Sequence, residues 1–374
     1  MQYNNRYLRV MLMLSALALS VWLLSSCRGG DGEAVEQEND GDSDGVEASD
    51  DSELTDGDSE AEMVVEVPTL ACPFPAELPF DLESEGFINE DSAKLAEEAT
   101  FLLGENMDVI GLPDAAQTIN GSMVRGTNGI MGKPFAGEWI SLFKPLSDGT
   151  WGTLGRVQAD EDGYYTINVP EEFAYGIGNG TAYSVLEGDG SCAVHGIFLW
   201  PTGTQAVISD IDGTLTLNDQ ELMKQINDQS YDQLENTSSA ELMQTWHDKG
   251  YMNIYLTARP HTFREPTRKW LEEHGFPFGP VITANELVFD ESARTYKREW
   301  VKRITEEFGW NIVAAYGNAT SDIDAYNDAG IPLNITFIIG ENAGVGGTVA
   351  IPDNDFSQHI RDYVKNQPDA VQPF

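Results

Sequence analysis

Residues 206–216, AVISDIDGTLT, constrain the fold of this chain more than any other segment. Three small apolar residues lead into Asp210 and Asp212 and then into Gly-Thr, which predicts a buried parallel strand ending in a tight loop. Ligands of open α/β sheets sit at the carboxyl ends of strands. Unpaired carboxylates are too costly to bury, so a divalent cation would neutralise this pair. One aspartate could then attack a phosphorus atom and form an aspartyl-phosphate, whereas a mere Asx-turn or helix cap is the alternative.

Strand and helix patterns alternate after this point, throughout residues 203–374. This alternation predicts an α/β domain. Its central sheet is expected to be mainly parallel, with helices on both faces in three layers. The expected strands are Gln205–Ser209, Met252–Thr257, Gly279–Ala284, Asn311–Tyr316 and Ile335–Ile339. The expected helices lie within Gln220–His247, Glu265–His274, Ala293–Phe308, Ser321–Ala329 and Phe356–Lys365.

Residues 117–202 have a different pattern, with short alternating runs separated by Gly, Asp, Asn and Pro. Such text predicts a small β-sandwich of the immunoglobulin-like or transthyretin-like kind. Its aromatic residues are assigned to the core and the sheet faces rather than to a sugar-binding platform. The preceding residues, 67–116, read as a short and partly helical segment, with helical spacing from Ser92 to Leu103.

The N-terminus has a sequence pattern typical of a targeting signal. Two arginines, Arg6 and Arg9, precede an apolar run that ends in Leu-Ser-Ser-Cys27, which predicts a secretory signal over residues 1–27 rather than a spanning helix. The ending resembles a bacterial lipobox, which implies cleavage before Cys27 and lipidation of its thiol; an ordinary signal peptide cut nearby is the alternative. Arg28 follows the cysteine, and the usual sorting rule then favours an exported lipoprotein of the outer membrane or cell surface, held by its N-terminal lipid anchor.

Residues 28–66 are predicted to form a disordered acidic linker. Within residues 31–62 there is no lysine or arginine and almost no large apolar side chain, so too little surface can be buried to offset the chain entropy. The DGDSDG-type text lacks the full pattern of a calcium-binding EF loop. The formal net charge of −41 argues against a nucleic acid partner.

Two cysteines, Cys72 and Cys192, remain once Cys27 is assigned to the anchor. In an exported protein they are candidates for one disulfide bond. Two free buried thiols are the alternative. No CxxC metal spacing occurs.

Further candidate residues follow the later strands. The hydroxyl of Thr257 can hold a phosphoryl oxygen, although a strand-end cap is its ordinary role, and Arg259 adds a planar cation. Lys297 can stabilise developing phosphoryl charge, although a lysine on a helix is usually just solvated. Asp322, in the loop GNATSD after a strand, can complete an oxygen shell for Mg²⁺. Asp324 is assigned to a helix-start charge.

In this order the motifs resemble the haloacid dehalogenase superfamily of phosphatases, with its Rossmann-like fold. DIDGT, YLTARP, the lysine helix and YGNATSDIDAY resemble more narrowly the LNS2 domain of lipin phosphatidate phosphatases and of membrane-associated phosphatidylinositol-transfer proteins. The resemblance covers about residues 200–345. The text WHDKGYMNIYLTARPH and NIVAAYGN is especially similar to the transfer-protein branch.

The resemblance implies a role for each matching position. Asp210 is expected to be the nucleophile and a Mg²⁺ ligand, and Asp212 the general acid and base. The implied metal positions are Asp210, the carbonyl of Ile211, Asp212, Asn318 and Asp322. The implied positions around the substrate phosphate are Gly213, Thr214, Thr257, Ala258, Arg259 and Lys297.

The expected function is a Mg²⁺-dependent phosphatase that acts on a phosphomonoester, such as phosphatidate or a related lipid phosphate. The resemblance also implies an alternative, because the transfer-protein branch has serine where this chain has Asp210 and binds phosphatidate without hydrolysing it. Since both aspartates are present here, catalysis is favoured over a tethered binding module. The sequence has no polybasic stretch. This absence argues against a lipid substrate more than against phosphatase chemistry. A lipoprotein whose β-sandwich does the work is a third possibility, and four intact motifs speak against it.

Overall fold

The structure is a computed structural model. It describes residues 82–83, 86–98, 101–104, 106–126, 132–146, 148–170, 180–228, 230–284, 288 and 290–374. The chain divides into two units, Met1–Val67 and Pro68–Phe374, and every described residue belongs to the second. The predicted signal sequence, Cys27, the acidic linker and Cys72 lie outside the described residues.

The first half of the described chain is built mainly from strands. Helix α1 (Glu90–Glu98) precedes them. The strands are β1 (Phe101–Gly104), β2 (Val109–Gly111), β3 (Thr118–Gly126), β4 (Gly132–Pro134), β5 (Trp139–Pro145), β6 (Trp151–Gln158), β7 (Tyr164–Asn168), β8 (Gly180–Leu186) and β9 (Cys192–Leu199). One sheet has the order β1-β3-β4 with β7 also paired to β3, and the other has the order β2-β9-β8-β5-β6. The β2–β9 pair is parallel, and the other pairs are antiparallel.

An apolar core lies between these two sheets. In β7 buried and exposed side chains alternate, and Tyr165 and Ile167 point inward, as the period of two in a half-buried strand requires. Ile119 from β3 and Ile140 from β5 are completely buried in the same cluster. The two sheets therefore form a β-sandwich, the architecture that the alternating text predicts.

The helix predicted from Ser92 to Leu103 is shorter in the structure. It ends at Glu98, and Phe101–Gly104 is strand β1, which pairs with Gly126 back to Met123 of β3. Pairing across the sheet overrides local helical spacing here. Strands β1 and β2 both belong to the sandwich sheets, so these sheets include residues that precede position 117.

The second half of the chain confirms the predicted central parallel sheet. Its order is β12-β11-β10-β13-β14-β15, and every neighbouring pair is parallel. The strands are β10 (Gln205–Ser209), β11 (Met252–Pro260), β12 (Val281–Ala284), β13 (Asn311–Gly317), β14 (Thr336–Ile339) and β15 (Val349–Ile351). Strand β10 lies between β11 and β13, so the residues that follow these three strands meet at one edge of the sheet.

Helices cover both faces of this sheet and complete three layers. They are α2 (Glu221–Asn227), α3 (Ser239–Asp248), α4 (Arg264–Glu273), α5 (Asp290–Lys302), α6 (Thr320–Asp328) and α7 (Ser357–Asp362). Trp246 of α3 and Trp270 of α4 belong to the apolar cluster on one face, whereas Val301 of α5 and Tyr326 of α6 belong to the cluster on the other. Across the part of the chain that the structure describes, no helix has the length and apolar character needed to cross a bilayer.

Two elements differ from the sequence prediction. The helical pattern Gln220–His247 is two helices, α2 and α3, because the chain between them folds back and Leu217 N–H donates to the Leu234 carbonyl at 2.7 Å. Strand β15 was not predicted, since it has three residues and two of them are exposed. This strand forms because it pairs with β14, and the local sequence alone does not indicate it.

A buried carboxylate, Asp108, joins the sandwich to the α/β part. It forms ion pairs with Arg264 and Arg268 of α4. It also accepts the backbone N–H groups of Gly196 at 2.8 Å and Val281 at 2.9 Å. Because these partners come from both halves of the described chain, the two halves pack as one body around this charge.

Candidate active site

Three neighbouring strands deliver their polar residues to one place. Asp210 follows β10 directly, and its N–H donates to the Tyr316 carbonyl of β13 at 3.0 Å. Thr257 lies near the end of β11, where the ladder to β12 is interrupted between Leu256 and Pro260. That interruption releases residues 257–259 from regular pairing with β12 and turns them towards the loop after β10.

Lys297 lies at the centre of this group. From α5 its ammonium nitrogen reaches Oδ1 of Asp210 and Oδ1 of Asp322, at 2.6 Å in each case. All three side chains are buried, with 3%, 4% and 0% of the residue surface exposed for Lys297, Asp210 and Asp322. The structure therefore brings together three residues that the sequence separates by 112 positions (210 to 322).

The charges in this cluster are unbalanced. Burial raises the pKa of Asp210 to about 8, although the Lys297 cation opposes this shift. Burial disfavours the Lys297 cation too, but the two carboxylates outweigh that effect and raise the pKa of Lys297 above its usual value. When both carboxylates are ionised, one cation leaves one negative charge uncompensated, and a further cation in the site would favour that ionised state.

Asp322 is held by the start of α6. Its Oδ2 atom accepts the N–H groups of Asn318 at 3.1 Å and Ala319 at 3.0 Å. Gly317 makes this possible, because a Cβ at that position would lie 2.6 Å from the Cβ of Asp322. The side chain thus caps a helix and also presents its other oxygen to Lys297.

Arg259, which is predicted to contact the substrate phosphate, forms hydrogen bonds with three protein side chains. Its Nε and Nη2 atoms donate to Asp212 at 3.0 Å and 2.8 Å. Nη2 also donates to Gln233 at 2.7 Å, and Nη1 donates to Thr267 at 2.8 Å. The guanidinium is buried, and its nitrogen atoms are engaged by protein groups. A contact with a substrate phosphate stays a prediction.

The carbonyl of Ile211, for which the resemblance implies a metal-ligand role, is engaged in hydrogen bonds within the loop. That oxygen accepts the N–H groups of Thr214, Leu215 and Thr216 at 3.2, 2.9 and 3.0 Å. These bonds close the tight loop and use its lone pairs. The carbonyl of the next residue, Asp212, accepts no hydrogen bond from the described residues.

Gly213 and Thr214 shape the loop rather than offering free amides. Gly213 has φ +69°, and its N–H donates to the Thr216 hydroxyl at 3.0 Å. A Cβ on Gly213 would collide with the side chains of Asn318 and Asp219. The Thr214 hydroxyl lies 3.4 Å from Oδ2 of Asp210 and 3.3 Å from Oδ1 of Asn318.

The remaining predicted positions border the same space. The Thr257 hydroxyl lies 3.3 Å from Oδ2 of Asp212 and accepts the Arg259 N–H at 3.1 Å. Ala258 is half-buried between these two residues. Asn318 is half-buried too, and its Nδ2 donates to Asp219 at 3.1 Å.

Sequence reasoning missed Asp219 and Gln233. Asp219 lies in the same loop as the DIDGT run, and a third carboxylate seven residues after Asp212 was a signal that could have been followed. Gln233 lies in the segment between α2 and α3 and gave no comparable signal. Its role appears only because the chain folds back towards Arg259.

The donor atoms at this site fit Mg²⁺. Among the described residues, no group of three His, Cys, Asp or Glu side chains is arranged to hold a metal. Magnesium, however, is usually held by one or two carboxylates and keeps several waters. Asp210, Asp322 and the carbonyl of Asp212 supply such hard oxygen atoms, and the excess negative charge has the sign that a cation requires.

The segment that carries all of these residues matches a known domain. A family model described as "PITM 1-3, LNS2 domain" matches residues 207–340. The resemblance to the LNS2 domain is confirmed. The matched segment, residues 207–340, contains every predicted catalytic and metal-binding position.

Curated relatives share more than this segment. The chain is 28% identical over 235 residues to membrane-associated phosphatidylinositol transfer protein 3 of Mus musculus, covering 63% of this chain and 23% of that protein. It is 30% identical over 212 residues to membrane-associated phosphatidylinositol transfer protein 2 of Mus musculus, covering 56% of this chain and 14% of that protein. The chain therefore spans less than a quarter of the length of these relatives.

Among solved structures, a putative HAD-like phosphatase from Mesorhizobium loti aligns with a TM-score of 0.35 and 16% identity. The alignment covers 44% of this chain and 87% of that chain. A likeness at this level carries no argument about activity.

Proposed function

We propose that this protein is a Mg²⁺-dependent phosphatase that works through an aspartyl-phosphate. The observation that carries the proposal is the buried Asp210 at the end of the central strand, with Lys297 at 2.6 Å. Among the described residues no other carboxylate combines a central strand end with a buried lysine that also binds a second aspartate.

The proposed reaction has two steps. An oxygen of Asp210 attacks the phosphorus atom, and the bond from phosphorus to the leaving oxygen breaks while that oxygen takes a proton from Asp212. Water then attacks the phosphorus of the aspartyl-phosphate, gives its proton to Asp212, and releases inorganic phosphate with Asp210 restored. Lys297 offsets the charge on the phosphoryl oxygens. Asp210, Asp322 and the carbonyl of Asp212 would hold Mg²⁺, which would supply further charge stabilisation.

The proposed substrate class is a lipid phosphate such as phosphatidate. The names of the curated relatives, which are membrane-associated phosphatidylinositol transfer proteins, support a phospholipid ligand. A non-catalytic phosphate-binding or phosphatidate-binding module is the second candidate, and the same names favour it. The intact Asp210 supports catalysis over binding alone.

The test is a substrate panel on the protein lacking residues 1–62. Phosphate release from phosphatidate vesicles and from a soluble phosphomonoester is measured with Mg²⁺ and with EDTA. We expect release with Mg²⁺ and none with EDTA. Vesicle binding without any phosphate release would favour the second candidate.

We also propose that the chain is an exported lipoprotein anchored in the outer membrane or at the cell surface through Cys27. The support is the text of residues 1–27. In the full chain, Cys27→Ser should move the protein from the membrane fraction to the soluble fraction. Unchanged partitioning would contradict the anchor.

A further inference from the structure

Hydrogen bonds to three side chains fix the orientation of the Arg259 guanidinium. Its Nε and Nη2 atoms form a fork on Asp212, at 3.0 Å and 2.8 Å. Nη2 also donates to Gln233 Oε1 at 2.7 Å, and Nη1 donates to Thr267 Oγ1 at 2.8 Å. Arg259, Gln233 and Thr267 are all buried, so the fork cannot rotate away from Asp212 without breaking bonds that water would not replace.

Gln233 is itself fixed at both ends. Its backbone carbonyl oxygen accepts the indole N–H of Trp270 at 2.9 Å, and its side-chain Nε2 donates to Gln225 at 2.6 Å. Trp270 belongs to α4 and Gln225 to α2. The segment between α2 and α3 is therefore connected through Gln233 and Arg259 to one carboxylate of the site.

Asp212 needs such support. Its side chain is 22% exposed, and the only other side-chain hydrogen bond to its carboxylate within the described chain is the 3.3 Å contact from Thr257. A short, partly exposed carboxylate with that single weak bond would sample several rotamers. Two N–H···O bonds from one planar guanidinium fix the positions of both oxygens at once.

We infer that Arg259 and Gln233 are positioning residues, which hold the carboxylate of Asp212 where it exchanges a proton with the leaving oxygen. The inference rests on the proposed phosphatase function. Neither residue touches the phosphoryl group; both act through Asp212. Lysine in place of Arg259 would keep the charge but lose the planar fork.

The inference predicts an effect that depends on the leaving group. When a phosphorus–oxygen bond breaks to release an alkoxide, the oxygen needs a proton from Asp212. When it releases p-nitrophenolate, the oxygen leaves as a stable anion and needs none. Misplacing Asp212 should therefore slow an alkyl phosphate much more than an aryl phosphate, and kcat/KM reports this first bond-breaking step.

The experiment compares kcat/KM for glycerol 3-phosphate and p-nitrophenyl phosphate at saturating Mg²⁺. In Arg259→Lys and Gln233→Leu we expect the alkyl value to fall by about 10²–10⁴-fold, the usual contribution of general acid catalysis, and the aryl value by no more than about tenfold. The matched control is Arg264→Lys, which alters a buried arginine of the Asp108 ion pairs. It should change both substrates by the same factor.

The outcomes separate the two proposals. Equal losses for both substrates in folded Arg259→Lys would assign the network to stability alone and overturn the inference, while leaving the phosphatase function intact. If Arg259→Lys does not fold, as judged by its thermal transition, Gln233→Leu decides in the same way. Wild-type protein that hydrolyses neither of these substrates nor phosphatidate vesicles would overturn the proposed function, and this inference with it.

Discussion

The ammonium nitrogen of Lys297 lies 2.6 Å from a carboxylate oxygen of Asp210, and both side chains are almost completely buried. The same nitrogen lies 2.6 Å from Asp322. One cation therefore faces two buried carboxylates, and the cluster carries one excess negative charge when both are ionised. The energetic cost of that charge connects the proposed catalysis and the proposed metal binding to the stability of this site.

Asp210→Asn should abolish activity without destabilising the fold. The substitution removes the attacking oxygen, so phosphate release should fall by several orders of magnitude. It also removes the repulsion between Asp210 and Asp322, while Lys297 keeps Asp322 as its partner. The melting temperature without Mg²⁺ should be equal to or higher than that of the wild type. A lower melting temperature would contradict this charge balance.

Asp322→Asn should weaken the metal site rather than the nucleophile. Excess Mg²⁺ should partly restore its activity, whereas it should not rescue Asp210→Asn. Binding of Mg²⁺ to the native state should raise the wild-type melting temperature, and this rise should shrink in Asp322→Asn. The matched control is Asp324→Asn in the same helix, where the side chain is exposed and pairs with Arg294 at 3.7 Å. An equal metal-dependent rise in both variants would exclude Asp322 as a ligand.

Lys297→Met should destabilise the protein by about 3–5 kcal/mol at neutral pH, because it leaves two buried carboxylates without their cation. Urea unfolding with and without Mg²⁺ measures the effect, and Mg²⁺ should recover part of the loss. Lys302→Met, near the end of the same helix, should change stability by no more than about 0.5 kcal/mol. Equal stability of the two variants would show that the Lys297 ion pairs are energetically neutral.

His195 should make stability depend on pH. Burial lowers its pKa to about 4, and its ring contacts Ser184 at 2.7 Å and the Met107 carbonyl at 2.8 Å. The unfolded chain binds this proton near pH 6.5 and the folded chain does not. The stabilising contribution is therefore complete above about pH 6.5 and is lost as the pH falls towards 4, by on the order of 1 kcal/mol per pH unit.

Unfolding by urea across this pH range tests the prediction. His195→Gln should be less stable at pH 7, but its stability should fall less steeply between pH 6.5 and 4. His359, whose pKa burial also lowers to about 4, contributes to the slope that remains. Identical slopes in wild type and His195→Gln would contradict the assignment.

Cys192 is disulfide-bonded, and we predict that Cys72 is its partner. Cys72 lies outside the described residues. Peptide mass spectrometry without reduction should show a cross-link between the two, and reduction should cost about 2–4 kcal/mol of stability. Two alkylatable thiols in the native protein would contradict the pairing.

Much of the fold could be predicted because it depends on local patterns. The apolar run before Asp210 is strand β10 with the predicted bounds Gln205–Ser209, since a strand buried on both faces reads as a continuous apolar segment. Strand β15 and the break between α2 and α3 could not be predicted in this way. Their geometry depends on partners far away in the sequence.

The sequence by itself determined which candidate site residues come together and in what order, because carboxylates directly after buried strands must gather at one edge of a parallel sheet. Only the tertiary structure decided the partner of each charge. Lys297 lies on a helix whose sequence is equally compatible with a solvated lysine. The Arg259 side chain is directed towards Asp212 rather than towards solvent. Hydrogen-bond partners are set by distances between segments, and those distances exist only once the sheet and its covering helices have packed.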